Sequence, residues 1–144
     1  HPELLDKAIW RRFDRVLNVN MPTERERMKL IERHLGRFII EIDENIIDYI
    51  VKNTNDMNSA DICKLCEHIK RQFIMNKEYS RGIIALAEIF KVKEDLNKEE
   101  KLIACSTLRE KFPNLSLRDI SFITRIPLTT VSRYISKSSK EGRS

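Results

Sequence analysis

The apolar residues between positions 62 and 73 recur at the period of an α-helix, which constrains the fold of this 144-residue chain more than any other feature. They fall at i, i+3, i+4, i+7 and i+11 and would form one stripe along a helix: Ile62, Leu65, Cys66, Ile69 and Phe73. Residues 46–51 and 83–90 carry similar stripes. The chain has only 3 Gly and 4 Pro, whereas an all-β fold needs many tight turns. The sequence therefore predicts an all-α fold.

Helix starts are marked by polar residues that can accept hydrogen bonds from free backbone N–H groups. The predicted caps are Thr23 with Glu26, Asp43, Asn58 or Ser59, Asn97 with Glu100, and Ser116 with Asp119. Gly36 and Pro113-Asn114 are predicted helix ends. The last helix is expected over roughly 128–137, followed by a flexible polar tail at 138–144. Residues 16–20 alternate with period two and predict one short strand, whose partners must lie elsewhere.

The positive charge of the chain is concentrated at its C-terminal end. Residues 1–96 carry 17 basic and 17 acidic side chains, whereas residues 97–144 carry 10 and 5, which accounts for the whole net charge of +5. A neutral body with a basic end predicts that this end meets a polyanion.

Within the basic end, residues 117–135 predict two short helices that cross closely, with the small Ser121 at the crossing. A core of Ile120, Ile126, Val131 and Tyr134 or Ile135 would close the bundle. The second helix is expected to present hydroxyl and basic side chains to base edges and phosphates. The predicted DNA-binding residues are Leu128, Thr129, Thr130, Ser132, Arg133 and Lys137.

This segment resembles the helix-turn-helix of bacterial regulators and resolvases, in which the second helix lies in the major groove. It departs from that pattern at Arg125, because the turn usually carries Gly. The resemblance implies a trihelical DNA-binding domain over residues 97–137. An alternative interpretation of this C-terminal segment is a protein-interaction module, in which the terminal bundle recruits a partner without binding DNA.

The first two thirds of the chain resemble the C-terminal part of AAA-type ATPases. Residues 4–15 are similar to the "LDxAxxRRFDR" run, residues 22–27 to the "P-x-x-x-x-R" that leads into the helical lid, and residues 58–62 to "SGADI". The resemblance implies that residues 1–22 end the nucleotide-binding domain and that residues 23–92 form the lid. The predicted architecture is thus a lid bundle with one leftover strand, followed by the helix-turn-helix domain.

The AAA resemblance also implies roles for individual residues. Arg12 and Arg15 match the arginines that reach the γ-phosphate bound by a neighbouring copy in a ring. Ser59 and Ala60 match the pair that lies against the nucleotide from the lid, although Ser59 replaces the usual Gly. ATP and Mg²⁺ are therefore expected cofactors of a longer parent protein.

The chain itself has no G-x-x-x-x-G-K-[ST] loop and no apolar strand ending in paired acids. We therefore expect that these 144 residues do not hydrolyse ATP and hold no cofactor, and that the parent is the ATPase. Cys63, Cys66 and His68 resemble zinc ligands in type, but they lie within one predicted helix and no metal site is predicted. Sparse cysteines and the lack of a long apolar run predict a cytoplasmic protein without a membrane partner.

Overall fold

A computed structural model of the protein describes residues 21–93 and 96–141, and this part of the chain is helical without strands. The helices are α1 (Glu24–Leu35), a 3₁₀ helix (Gly36–Glu41), α2 (Glu44–Lys52), α3 (Ser59–Met75), α4 (Arg81–Val92), α5 (Lys98–Lys111), α6 (Leu117–Thr124) and α7 (Leu128–Glu141). The predicted all-α class is confirmed. The strand predicted at 16–20 lies outside the described residues.

The predicted caps form where the sequence places them. Thr23 with Glu26 and Ser116 with Asp119 make complete capping boxes, and the Asn97 side chain accepts from the Glu100 N–H. Asn58, not Ser59, caps α3, because its Oδ1 accepts from the Asp61 N–H at 2.8 Å. Each cap contributes about 1 kcal/mol by satisfying a donor that the helix leaves free.

The chain divides into two compact units, one up to Arg71 and one from Gln72. In the first unit, α2 buries Ile46, Ile47, Ile50 and Val51, and α3 buries Ile62, Leu65, Cys66 and Ile69, as predicted. Fully burying an aliphatic side chain of this size contributes about 1.5–3 kcal/mol, so these stripes contribute substantially to the stability of the unit.

Arg27 is a buried cation in α1 that the apolar pattern did not reveal; it is 6% exposed. Its Nε donates to the Val51 carbonyl at 3.1 Å, and its Nη1 donates to the Pro22 carbonyl at 3.2 Å. The side chain therefore ties α1 to the end of α2 and to the incoming chain.

The second unit contains α4, α5, α6 and α7. Helices α5, α6 and α7 contact one another, and α4 also packs against α6. The Tyr79 ring, just before α4, stacks on Phe122 of α6 with centroids 4.0 Å apart. Arg118 of α6 forms an ion pair with Glu78 at 2.5 Å. Helix α4, predicted within the lid segment 23–92, thus shares a compact unit with the C-terminal helices.

Two helix ends differ from the predicted ones. Helix α7 runs through Glu141, so the first residues of the predicted tail at 138–144 are helical. The first strong helix breaker in that region is Gly142, and the serines before it do not end a helix. The 3₁₀ helix over Gly36–Glu41 was not predicted, because its apolar residues follow no helical period.

Candidate nucleic-acid interface

The turn between α6 and α7 contains a left-handed residue. Helix α6 ends at Thr124, and Arg125 has φ 61° and ψ 28°, with its N–H donating to the Ser121 carbonyl at 2.9 Å. This is the position where a helix C-terminus usually carries Gly, since a side chain adds strain of about 1 kcal/mol there. The Arg125 side chain is exposed, so it lies beside the turn without filling space in the core.

The Ser121 side chain also stabilises this turn. Its Oγ donates to the Ile126 carbonyl at 2.6 Å, and the Val131 N–H then donates to the Pro127 carbonyl at 3.0 Å as α7 begins. Ile126 and Val131 are buried, at 6% and 0% exposed. The predicted core of the two-helix segment forms around Ile120, Ile126 and Val131, with Tyr134 and Ile135 half-buried at its edge.

Helix α6 is also tied to α5. The Cys105 Sγ donates to the Thr124 Oγ1 at 3.8 Å, and that hydroxyl donates to the Ile120 carbonyl at 2.7 Å. Burial raises the pKa of the Cys105 thiol above its usual 9.0, so the group is neutral at physiological pH. The Arg109 guanidinium donates to the Leu115 carbonyl and fixes the turn between α5 and α6.

The outer face of α7 carries hydroxyl and basic side chains. Thr129, Arg133 and Lys137 are exposed at spacings of four residues, so they share one face. Ser136 is exposed on the same face, and its spacing from Thr129 and Arg133 could have identified it in the sequence. Thr130 and Ser132, which were predicted to face outward, are half-buried and flank this face. Leu128 is 47% exposed at the start of the helix.

The charge on this segment has one sign. Between Asp119 and Glu141 the sequence has four basic residues and no acidic one. The outer face of α7 therefore carries positive charge at Arg133 and Lys137, which suits an anionic partner.

Ser59 and Ala60 belong to the first unit and are the first two residues of α3, where both are exposed. Arg12 and Arg15 lie outside the described residues. The relation between these arginines and the Ser59-Ala60 pair therefore stays a prediction.

In the described ranges, no cluster of three or more His, Cys, Asp or Glu side chains is arranged to hold a metal ion. Across those same residues, no helix combines the length and the apolar character needed to cross a membrane.

The chain is similar in part to several curated proteins. It is 36% identical over 62 residues to a 26S proteasome regulatory subunit homolog of Methanothermobacter thermautotrophicus, covering 43% of this chain and 16% of the relative. It is 25% identical over 109 residues to the ATP-dependent zinc metalloprotease FtsH of Parabacteroides distasonis, covering 69% of this chain and 16% of the relative. It is 26% identical over 121 residues to the spastin homolog of Caenorhabditis elegans, covering 80% of this chain and 23% of the relative.

The chain thus spans less than a quarter of the length of these relatives. Parts of it have weak homology to members of the AAA-type ATPase family. No protein-family profile matches the chain, and no solved structure gives a significant match.

Proposed function

We propose that the chain is the lid region and C-terminal extension of an AAA-type ATPase, and that α6, the Arg125 turn and α7 form a helix-turn-helix that binds DNA. One observation carries the DNA proposal: Thr129, Arg133 and Lys137 share one exposed face of the helix that follows a left-handed turn. Homology to AAA-type ATPases supports the first part of the proposal.

In this account α7 lies in the major groove, where an α-helix fits and base edges are accessible. Thr129, near the start of α7, approaches base edges or a phosphate. Arg133 and Lys137, one and two turns later, bind phosphates and set the register. Thr130 and Ser132, as flanking residues, make contacts at the walls of the groove.

The nucleotide-binding part of the proposal rests on the weak homology to AAA-type ATPases. In the parent ring, Arg12 and Arg15 reach the γ-phosphate of ATP on a neighbouring copy and neutralise charge that develops during transfer. Ser59 and Ala60, exposed at the start of α3, contact the nucleotide from the lid. Phosphate-loop and Mg²⁺-binding residues come from the rest of the parent protein, so hydrolysis belongs to the ring.

The DNA proposal is tested by fluorescence anisotropy of the full 144-residue chain on labelled duplex DNA at low and high salt. We expect binding that weakens steeply with salt, because each neutralised phosphate releases counterions. The double variant Arg133→Ala/Lys137→Ala should lose most of this binding. Lys64→Ala, which removes an exposed cation from α3, is the matched control and should bind as the unmodified chain does.

Equal binding by the double variant and the control would mean that α7 does not contact DNA. Binding that is insensitive to salt would also contradict the proposal, and would favour the reading of the C-terminal bundle as a protein-interaction module.

A further inference from the structure

A thiol and an imidazole from different helices meet in the first unit. The Sγ of Cys63, in the second turn of α3, lies 3.0 Å from the Nε2 of His34, in the last turn of α1. Both side chains are half-buried, so the pair is open to small molecules from solvent. At this distance the ring nitrogen can accept the thiol proton.

The other two cysteines of the chain differ from Cys63 in accessibility. Cys66 is 1% exposed and Cys105 is 0% exposed. Burial raises the pKa of the Cys66 thiol to about 12, so this group stays protonated at neutral pH. Because thiolates rather than thiols are the nucleophiles, neither buried cysteine is suited to react.

Charged side chains on α3 lie near the pair. Glu67 lies one turn after Cys63 on α3, and its pKa is lowered first by the hydrogen bond from Lys70 and further by nearby positive groups that include His34. The carboxylate therefore stays ionised and would stabilise a protonated His34 ring. Lys70, whose Nζ lies 2.8 Å from a Glu67 carboxylate oxygen, and Arg71 are the other charged groups that act on Glu67.

We propose that Cys63 and His34 form a thiol–imidazole pair that makes Cys63 a site of covalent modification by small disulfides. His34 Nε2 takes the proton from the Cys63 thiol, and the thiolate attacks one sulfur of a disulfide R–S–S–R. A new bond forms between Cys63 Sγ and that sulfur, while the original S–S bond breaks. The other half departs as the thiolate R–S⁻, and the proton passes from His34 to solvent, so Cys63 is oxidised and half of the disulfide is reduced.

The test uses the full 144-residue chain and 5,5′-dithiobis(2-nitrobenzoic acid), an aromatic disulfide whose released thiolate is followed by absorbance. Mass spectrometry after a short exposure locates the adduct. We expect the adduct on Cys63, formed faster in the folded chain than at Cys63 in the chain unfolded in urea.

His34→Gln should slow the reaction about tenfold at pH 7, because the thiolate is no longer stabilised by the imidazolium. The control is His68→Gln, which replaces an exposed histidine on α3, the helix of Cys63, and should have no effect on the rate.

The pH dependence separates this role from a structural one. At a pH high enough to ionise an ordinary thiol, Cys63 is a thiolate without help from His34. His34→Gln and the unmodified chain should then react at similar rates. Unfolding of His34→Gln would also slow the reaction, to the rate of unfolded Cys63, so circular dichroism must show that this variant is folded. The comparison of the folded with the unfolded unmodified chain does not depend on the variant. The proposal is overturned if folded Cys63 reacts no faster than unfolded Cys63, or if a His34→Gln chain that circular dichroism shows to be folded reacts as fast as His68→Gln at pH 7.

Discussion

The Oγ of Ser121 donates a hydrogen bond to the Ile126 carbonyl at 2.6 Å and so closes the turn between α6 and α7. A larger side chain at this position would occupy the space at the helix crossing. We expect Ser121→Leu to lower the free energy of unfolding by about 1–3 kcal/mol through overpacking. Urea denaturation measures the loss, with the exposed Ser136→Leu as control. Equal stability of the two variants would mean that the crossing is not tight at Ser121.

Arg125 adopts the left-handed conformation at φ 61°, and its side chain is exposed. Arg125→Gly should therefore raise the free energy of unfolding by about 1 kcal/mol, because Gly relieves the backbone strain. The matched change Arg133→Gly, inside α7, should lower it by about 1 kcal/mol. Thermal denaturation of both variants measures these changes. Destabilisation by Arg125→Gly would show that the Arg125 side chain stabilises the fold by more than the backbone strain destabilises it.

Arg27 is buried and donates to two backbone carbonyls. Arg27→Met keeps most of the apolar stem and removes both hydrogen bonds, so we expect the free energy of unfolding to fall by about 2 kcal/mol. Arg25→Met changes an exposed neighbour on the same helix and should alter stability little. If chemical denaturation finds the two variants alike, the buried guanidinium does not stabilise the first unit.

The thiol of Cys66 gives a stability that depends on pH. Its pKa in the folded chain is about 12, against an ordinary value of 9.0. A raised pKa means that the folded state favours the protonated thiol, so this contribution is complete below pH 9 and declines as the pH rises towards 12. We expect the melting temperature to fall between pH 8 and pH 10.5, and to fall less in Cys66→Ala. The same decline in both proteins would assign the pH dependence to other groups.

Helix α4 and the preceding Glu78 and Tyr79 contact α6, which places them in the same compact unit as the C-terminal helices. A fragment that starts at Asn97 loses these contacts, whereas one that starts at Gln72 keeps them. We expect circular dichroism to show a cooperative thermal transition for residues 72–144 and none for residues 97–144. A cooperative transition of the shorter fragment would support the boundary at 97 as a folding boundary.

Local features of the fold could be predicted from the sequence because they depend on neighbours along the chain. The capping boxes at Thr23 and Ser116 and the buried stripe of α3 are of this kind. The stack of Tyr79 on Phe122 and the burial of Arg27 depend on residues distant in sequence, and no periodic pattern encodes them.

The candidate site could likewise be predicted only in part. The start of α7 and its basic face follow from Pro127 and from the spacing of Arg133 and Lys137. Which hydroxyl side chains face outward depends on how α7 is rotated against the rest of the bundle. The structure exposes Thr129 and Ser136 and half-buries Thr130 and Ser132, a division that composition alone does not give.

The proposed binding of DNA by α7 is tested most directly by nuclear magnetic resonance. Backbone amide chemical shifts of the full 144-residue chain are followed during titration with duplex DNA. We expect the largest changes between Arg125 and Lys137, centred on the face of Thr129 and Arg133. Added salt should weaken the binding that these changes report. The slope of log affinity against log salt concentration should be near −0.9 per phosphate contacted. Arg133→Ala should reduce that slope by about one. Changes that spare residues 125–137, or that persist unaltered at high salt, would contradict DNA binding by this helix.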